Sequence, residues 1–246
     1  MESYQRTLLL TGASRGIGHA TVKRFAQAGW RVLTVSRHGF PAECPWEGGE
    51  RNHVQIDLAD IENMPASVED IRSRLDHGRL DALVNNAAIS PKGEDGTRLG
   101  ALETDAALLQ HVFRVNMFST ALLARGLFPE LRAAKGSIVN VTSIAGSRVH
   151  PFAGMAYATS KAALAALTRE MAHDFGQYGV RVNAIAPGEI DTSILSPGTS
   201  SIVDHEIPMR RLGQPAEVAE TIFFLCTNAS SYINGAEVHI NGGQHV

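Results

Sequence analysis

Short, nearly uninterrupted apolar runs alternate along this chain with stretches in which apolar residues return every three or four positions. TLLLT (7–11), RVLTVS (31–36), HVQID (53–57), LDALVN (80–85), GSIVNVTS (136–143), VRVNAIA (180–186) and AEVHI (236–240) read as strands. Helical periodicity covers 16–28, 61–75, 102–123 as one long helix, 155–175 and 215–226. Strands joined through helices pair in parallel, and continuously apolar strands are covered on both faces. The pattern predicts an α/β fold with a doubly wound parallel sheet. With 44% hydrophobic residues there is material for a sizeable core, and no Pro/Gly/Ser linker divides residues 1–246, so a single domain is expected.

Ligands of doubly wound sheets sit beyond the carboxyl ends of the strands. That rule selects residues 11–18, 36–38, 57–58, 85–92, 143–157 and 187–193. In TGASRGIG (11–18), Gly12 suits a tight turn, and Gly16 and Gly18 allow close backbone approach. The helix that opens there presents unpaired N–H groups and a positive dipole end, which suit a diphosphate. The loop, with Gly12, Ser14, Arg15, Gly16, Ile17 and Gly18, is read as a dinucleotide-binding turn. A merely tight connection is the alternative.

An NAD site usually carries an acid near the end of the second strand. Here no Asp or Glu occurs between Glu2 and Glu43, and the strand runs out through Ser36, Arg37 and His38. Guanidinium groups at Arg15 and Arg37 match a 2′-phosphate in charge and fork geometry. NADP(H) is therefore favoured, with NAD(H) possible.

Tyr157 and Lys161 stand four apart in an alanine-rich helical window, hence on one face, one turn apart. A nearby ammonium is expected to favour the phenolate and lower the tyrosine pKa, so that Tyr157 can exchange a proton with a carbonyl oxygen. Ser143 ends a strand at the same sheet edge and can hydrogen-bond that oxygen.

The ordered set TGASRGIG, NNAA (85–88), Asn116, Ser143, Tyr157/Lys161 and PG (187–188) resembles the short-chain dehydrogenase/reductase family, over residues 5–243. The resemblance implies a Rossmann-type sheet of seven strands and a catalytic tetrad of Asn116, Ser143, Tyr157 and Lys161. It implies that Tyr157 is the acid/base, that Ser143 orients the substrate oxygen, and that Asn116 positions a water. Lys161 lowers the Tyr157 pKa and, with Tyr157, also contacts the cofactor. It further implies an adenine contact at Asp57 and Leu58, a cleft lined by Asn85 and Ala87, and nicotinamide and phosphate contacts in the segment Pro187, Gly188, Ile190 and Thr192. Capping by Asp57 is an equal reading.

Three features depart from the family pattern. Ala88 stands where a glycine is commoner, the Ser143–Tyr157 interval is one residue longer, and 90–105 is longer by a few residues. The family places a substrate lid at about 189–213, here with Ile194, Leu195, Ile202 and Ile207 as apolar contacts. His150, Phe152 and Met155 border the same space or belong to the core. Arg210 and Arg211 meet an anionic substrate or carrier, solvent, or a neighbouring subunit. The implied activity is interconversion of a ketone and a secondary alcohol, 3-oxoacyl-carrier reductase-like, with a sugar or polyol dehydrogenase as the runner-up.

A cofactor-binding redox sensor without turnover is a rival reading. A serine hydrolase is another, although TSIAG around Ser143 lacks the G-x-S-x-G turn. The family also implies a homo-oligomer, tetramer or dimer, with Leu122, Leu164 and Phe224 on candidate interface helices. A net charge of −3 argues against nucleic acid, and no apolar stretch reaches transmembrane length. The ten histidines have no paired-ligand spacing, so no metal is expected. Two isolated cysteines, Cys44 and Cys226, and a start without a signal-peptide core point to a reducing, cytoplasmic setting.

Overall fold

The structure, a computed structural model, describes residues 4–40, 49–94, 96–192 and 198–246. Seven parallel strands form one sheet: β1 (Thr7–Thr11), β2 (Arg31–Ser36), β3 (His53–Gln55), β4 (Ala82–Asn85), β5 (Ser137–Val141), β6 (Arg181–Pro187) and β7 (Glu237–Ile240). Their order across the sheet is β3-β2-β1-β4-β5-β6-β7, a Rossmann-type arrangement. The direction of winding reverses between β1 and β4, where Thr11 pairs with Asn85. That switch point, with the ends of β5 and β6 beside it, is the ligand edge.

Helices cover both faces: α1 (Gly16–Gln27), α2 (Met64–Ser73), α3 (Ala106–Phe113), α4 (Ser119–Gly126), α5 (Phe128–Ala134), α6 (Met155–Gly176), α7 (Thr199–His205) and α8 (Pro215–Cys226). Alternation along β1 divides its leucines between two cores. Leu9 packs with Val68, Leu123 and Met171 from α2, α4 and α6, while Leu8 and Leu10 pack with Phe25, Val218 and Ile222 from α1 and α8. Each of the three leucines is fully withdrawn from water, worth about 1.5–3 kcal/mol apiece. Two-sided burial is why the strand reads as an unbroken apolar run.

The expected helix over 102–123 is a correction. It is broken into α3 and α4 by a π-helical turn, Arg114–Phe118, and its first residues are turn and loop. Asp105 sets the true start, its carboxylate accepting the Leu108 N–H at 2.7 Å. Helix α5 was not expected; Pro129 at its first turn, where no N–H is needed, starts it. Helix α2 is shorter than expected, and α7 forms inside the expected lid. Leu164, on one of the candidate interface helices, is 1% exposed and faces the core.

Candidate active site

The glycine loop leaves β1 at Thr11 and enters α1 at Gly16. Gly12 has φ +72°, which a Cβ would strain, and that Cβ would lie 2.8 Å from the Ala87 backbone. At Gly18 a Cβ would sit 2.0 Å from the Gly12 carbonyl oxygen. Asn86, which the sequence reading passed over, braces this crossing. Its Nδ2 donates to the carbonyls of Thr11 at 3.1 Å and Gly12 at 2.8 Å, and the Thr11 hydroxyl accepts from the N–H groups of Asn86 and Ala87. Ser14 and Arg15 are exposed, and Ile17 packs toward the α1/α8 core. No acidic side chain occupies the first turn of α1, so its dipole end is uncompensated. A groove of about 510 Å³ opens beside it, lined by Gly16, His19, Lys23, Asp191 and Thr192 among others.

At the end of β2 the Ser36 hydroxyl donates to the His38 carbonyl, and the exposed Arg37 Nε donates to the His38 ring at 3.2 Å. Asp57 is exposed and caps a turn, accepting the Ala59 N–H at 2.9 Å, ahead of α2, which starts at Met64. Leu58 is buried in the core. Asn85 is turned inward. Its amide donates to Asn140 Oδ1 at 2.9 Å, and Asn140 in turn donates to Thr168 on α6. The Asn85 side chain therefore ties β4 to β5, and Asn85 meets the cleft through its backbone. Pro187 ends β6. Gly188 is forced by Asn241, whose Cβ would lie 2.6 Å from an added methyl. Ile190 is buried and bridges to Gly213, which leaves Thr192 against Gly16, its Cγ2 3.1 Å from where a Cβ would be.

The four expected catalytic residues converge at this edge. Ser143 follows β5 with an extended backbone, and its hydroxyl accepts from the Ala145 N–H at 3.2 Å. Tyr157, in the first turn of α6, lies near enough to Ser143 for that side chain to stabilise its ionised form. Lys161 is 2% exposed; its ammonium donates to the Val141 carbonyl at 2.6 Å and lies 5.6 Å from the Tyr157 ring centre. Asn116 is buried in the π turn. Its amide donates to the Ile89 carbonyl and the Ser160 hydroxyl, both at 3.0 Å, and its oxygen accepts the Ile89 N–H. Both amide protons are thus spent on clamping the strand-end loop to α6.

The electrostatics correct one expectation. The Tyr157 hydroxyl is raised above the ordinary phenol value, first by burial, with the nearby Ser143 side chain pulling the other way and the charge of Glu189 adding to the rise. Burial pushes Lys161 down to about 7. An amine so desolvated carries its charge only part of the time at neutral pH, which is why burial prevails over the ammonium at the phenol.

Glu189 was also missed as a site residue. His150 Nε2 meets its Oε1 at 2.7 Å, and the two side chains are only 9% and 10% exposed. The longer segments flanking this pair grip one another. Lys92 Nζ donates to the Phe152 carbonyl, Arg98 Nε to the Ala153 carbonyl at 2.8 Å, and the Met155 N–H to the Leu99 carbonyl at 2.9 Å. Met155 is half-buried at the start of α6. In the expected lid, Ile202 and Ile207 are buried, while Ile194 and Leu195 lie outside the described residues. Arg211 forms a two-pronged pair with Glu217 at 2.7–2.8 Å; Arg210 is exposed with φ +53°.

A strand-to-helix turn with free N–H groups and an uncompensated dipole, followed along the edge by a buried amine and a phenol, fits a nicotinamide dinucleotide. Comparison with known proteins agrees. A family model described as enoyl-(acyl carrier protein) reductase matches residues 12–245. Protein FixR of Bradyrhizobium diazoefficiens is 59% identical over 98% of this chain and 87% of its own length. L-fucose dehydrogenase of Oryctolagus cuniculus is 33% identical over 97% of this chain and 84% of its own. The 3-oxoacyl-[acyl-carrier-protein] reductase FabG of Aquifex aeolicus is 33% identical over 96% and 95%. A solved oxidoreductase of the short-chain dehydrogenase/reductase family from Brucella ovis, in complex with a partially ordered NAD, is 59% identical; it covers 97% of this chain and all of its own, with a TM-score of 0.85.

Proposed function

The chain belongs to the short-chain dehydrogenase/reductase family of oxidoreductases, and on that premise we propose that it interconverts a ketone and a secondary alcohol using NADP(H) in preference to NAD(H). The observation that carries the reading is the buried amine of Lys161, fixed on the Val141 carbonyl at the end of β5 and 5.6 Å from the Tyr157 ring centre, with Ser143 following the same strand. A bound nicotinamide supplies or accepts the hydride. The glycine turn with Arg15 and Thr192 holds its phosphates, Arg37 and Ser36 meet the adenosine ribose, and Lys161 meets the nicotinamide ribose. Tyr157, raised above the ordinary phenol value, keeps its proton at neutral pH and gives it to the substrate oxygen in the reductive direction. Ser143 holds the same oxygen. Once Tyr157 has given up its proton, the resulting phenolate draws a proton to Lys161, and the ion pair limits the cost of the buried negative charge. Asn116 holds the loop after β4 against α6, which fixes the cleft wall.

The preference for NADP(H) rests on the missing acid at the end of β2 and on the exposed guanidinium of Arg37, whose Nε alone has a partner among the described residues. NAD is the ligand of the Brucella ovis protein; a kcat/KM comparison of NADPH with NADH decides the matter here, and a strong preference for NADH would overturn it. Tyr157→Phe is expected to lose on the order of a hundredfold or more in turnover while still binding cofactor by fluorescence quenching. Turnover near wild type would remove Tyr157 from the chemistry. In this reading the segment 189–213 covers the substrate, and the chain works as a single domain in a reducing cytoplasm. It assembles as a dimer or tetramer, a reading supported by Phe118 and Phe224, each 40% exposed on helical surfaces; light scattering tests the assembly.

A further inference from the structure

A carboxylate nine-tenths withdrawn from water beside an acid–base tyrosine needs a reason, because an apolar substrate would complete its desolvation without compensating it. Glu189 has one oxygen satisfied by His150. The second, Oε2, has no protein partner among the described residues. The imidazole is held in one tautomer. Its Nδ1 accepts the Phe152 N–H at 3.3 Å, so Nε2 carries the hydrogen and donates it to Glu189. His150 is therefore a positioning residue, aiming a charged acceptor. Lys92 reaches the same loop: one ammonium proton goes to the carbonyl of Phe152, the residue whose N–H binds the His150 ring, and no other acceptor meets it among the described residues. Burial lowers the Lys92 value while the Glu189 charge raises it, and the same charge also raises Tyr157; the carboxylate thus lies within electrostatic reach of both.

We propose that Glu189, aimed by His150, and Lys92 form a substrate subsite beside Tyr157 that takes a neutral, polyhydroxylated ketone or secondary alcohol, of the ketose or alditol class, and disfavours a 3-oxoacyl chain. A hydroxyl group donates to Glu189 and accepts from Lys92 at once, which neither a cation nor an anion can do. An acyl chain leaves both charges unmatched. The basic residues expected for an anionic carrier do not replace this logic, since Arg211 is already paired with Glu217. The inference rests on the oxidoreductase reading above and names the substrate of that same site.

The test uses the full-length enzyme with five- and six-carbon ketoses and alditols against 3-oxoacyl thioesters. Binding is read separately from turnover in Tyr157→Phe loaded with cofactor, by the thermal shift each ligand produces. Ketoses or alditols are expected to raise the melting temperature of Tyr157→Phe and not of Tyr157→Phe/Glu189→Leu, with cofactor affinity equal in the two. In the active enzyme, Glu189→Leu raises KM for the hydroxylated substrate at least about tenfold, and Glu189→Gln, which keeps the shape and one acceptor, raises it less. Equal shifts with and without Glu189, or shifts from thioesters alone, overturn the subsite. Hydroxylated ligands that bind through Glu189 but are never turned over by the wild type leave the subsite standing and instead overturn the proposed reaction.

Discussion

At the scale of single residues, the proton chemistry is set by which groups burial has starved of water. Tyr157 is raised by burial and by Glu189, so alcohol oxidation, which needs the phenolate, should gain rate as pH climbs above neutrality. Replacing Glu189 by Gln removes a negative charge that opposes phenolate formation. The rising limb of log kcat/KM against pH should move to lower pH in that variant; a limb that stays put or moves up would show that Glu189 does not act on Tyr157. Lys161 gives a second test through stability. Its value in the folded protein is about 7, well below that of an ordinary lysine. Between those two values the unfolded chain holds a proton that the folded chain has released, so stability rises with pH across that window. Lys161→Met abolishes the amine and should flatten that rise in urea midpoints taken between pH 6 and 9, whatever it does to activity. Tyr157, Lys161 and Ser143 were legible in the sequence because a helix turn and a strand end fix their spacing locally. His150 was expected to border the substrate space or join the core, but its pairing with Glu189 was not legible, because that depends on the path of the loop between Ser143 and Tyr157, which no local periodicity encodes.

At the scale of elements, the glycine turn and the π turn show what a hydrophobic pattern can and cannot carry. The turn was legible, since Gly12 and Gly18 answer to steric exclusion that leaves no other residue. Gly18→Ala would drive a methyl into the Gly12 carbonyl, 2.0 Å away, and against Asn86. The loop must move, so cofactor affinity should collapse along with a loss of melting temperature. Gly29 offers the contrast. It also has a positive φ, +77°, but nothing lies within 4 Å of an added Cβ. Gly29→Ala should cost about 1–2 kcal/mol of stability from backbone strain alone and leave cofactor titrations unchanged. A Gly18→Ala protein that binds cofactor like wild type would show that the turn is not the phosphate cradle. The π turn between α3 and α4 escaped prediction because one extra residue in a helical repeat leaves the apolar spacing nearly intact. What it changes is the phase, and that phase turns Asn116 inward onto Ile89 and Ser160.

At the scale of the whole molecule, the parallel, doubly wound sheet followed from the alternation of strand and helix, while the order of its strands is read from the structure alone. Contacts between remote loops carried no such rule. The two segments that are longer than the family pattern, 90–105 and the Ser143–Tyr157 interval, turn out to be partners. Arg98 and Lys92 hold successive carbonyls of 152–153, the Met155 N–H returns to Leu99, and a Cβ at Gly154 would lie 3.0 Å from the Leu99 oxygen. The same loop presents His150 to Glu189. If the two segments form one wall, loosening it from either side should have overlapping consequences. Arg98→Ala should raise substrate KM with little change in cofactor affinity, and His150→Ala should do the same by freeing Glu189. In a double-mutant cycle on kcat/KM, the combined variant should fall short of the sum of the two losses by roughly 0.5–3 kcal/mol, as for residues sharing one network. Strict additivity would mean that Arg98 steadies the outer segment alone, and that the aim of Glu189 is set within the 147–154 loop.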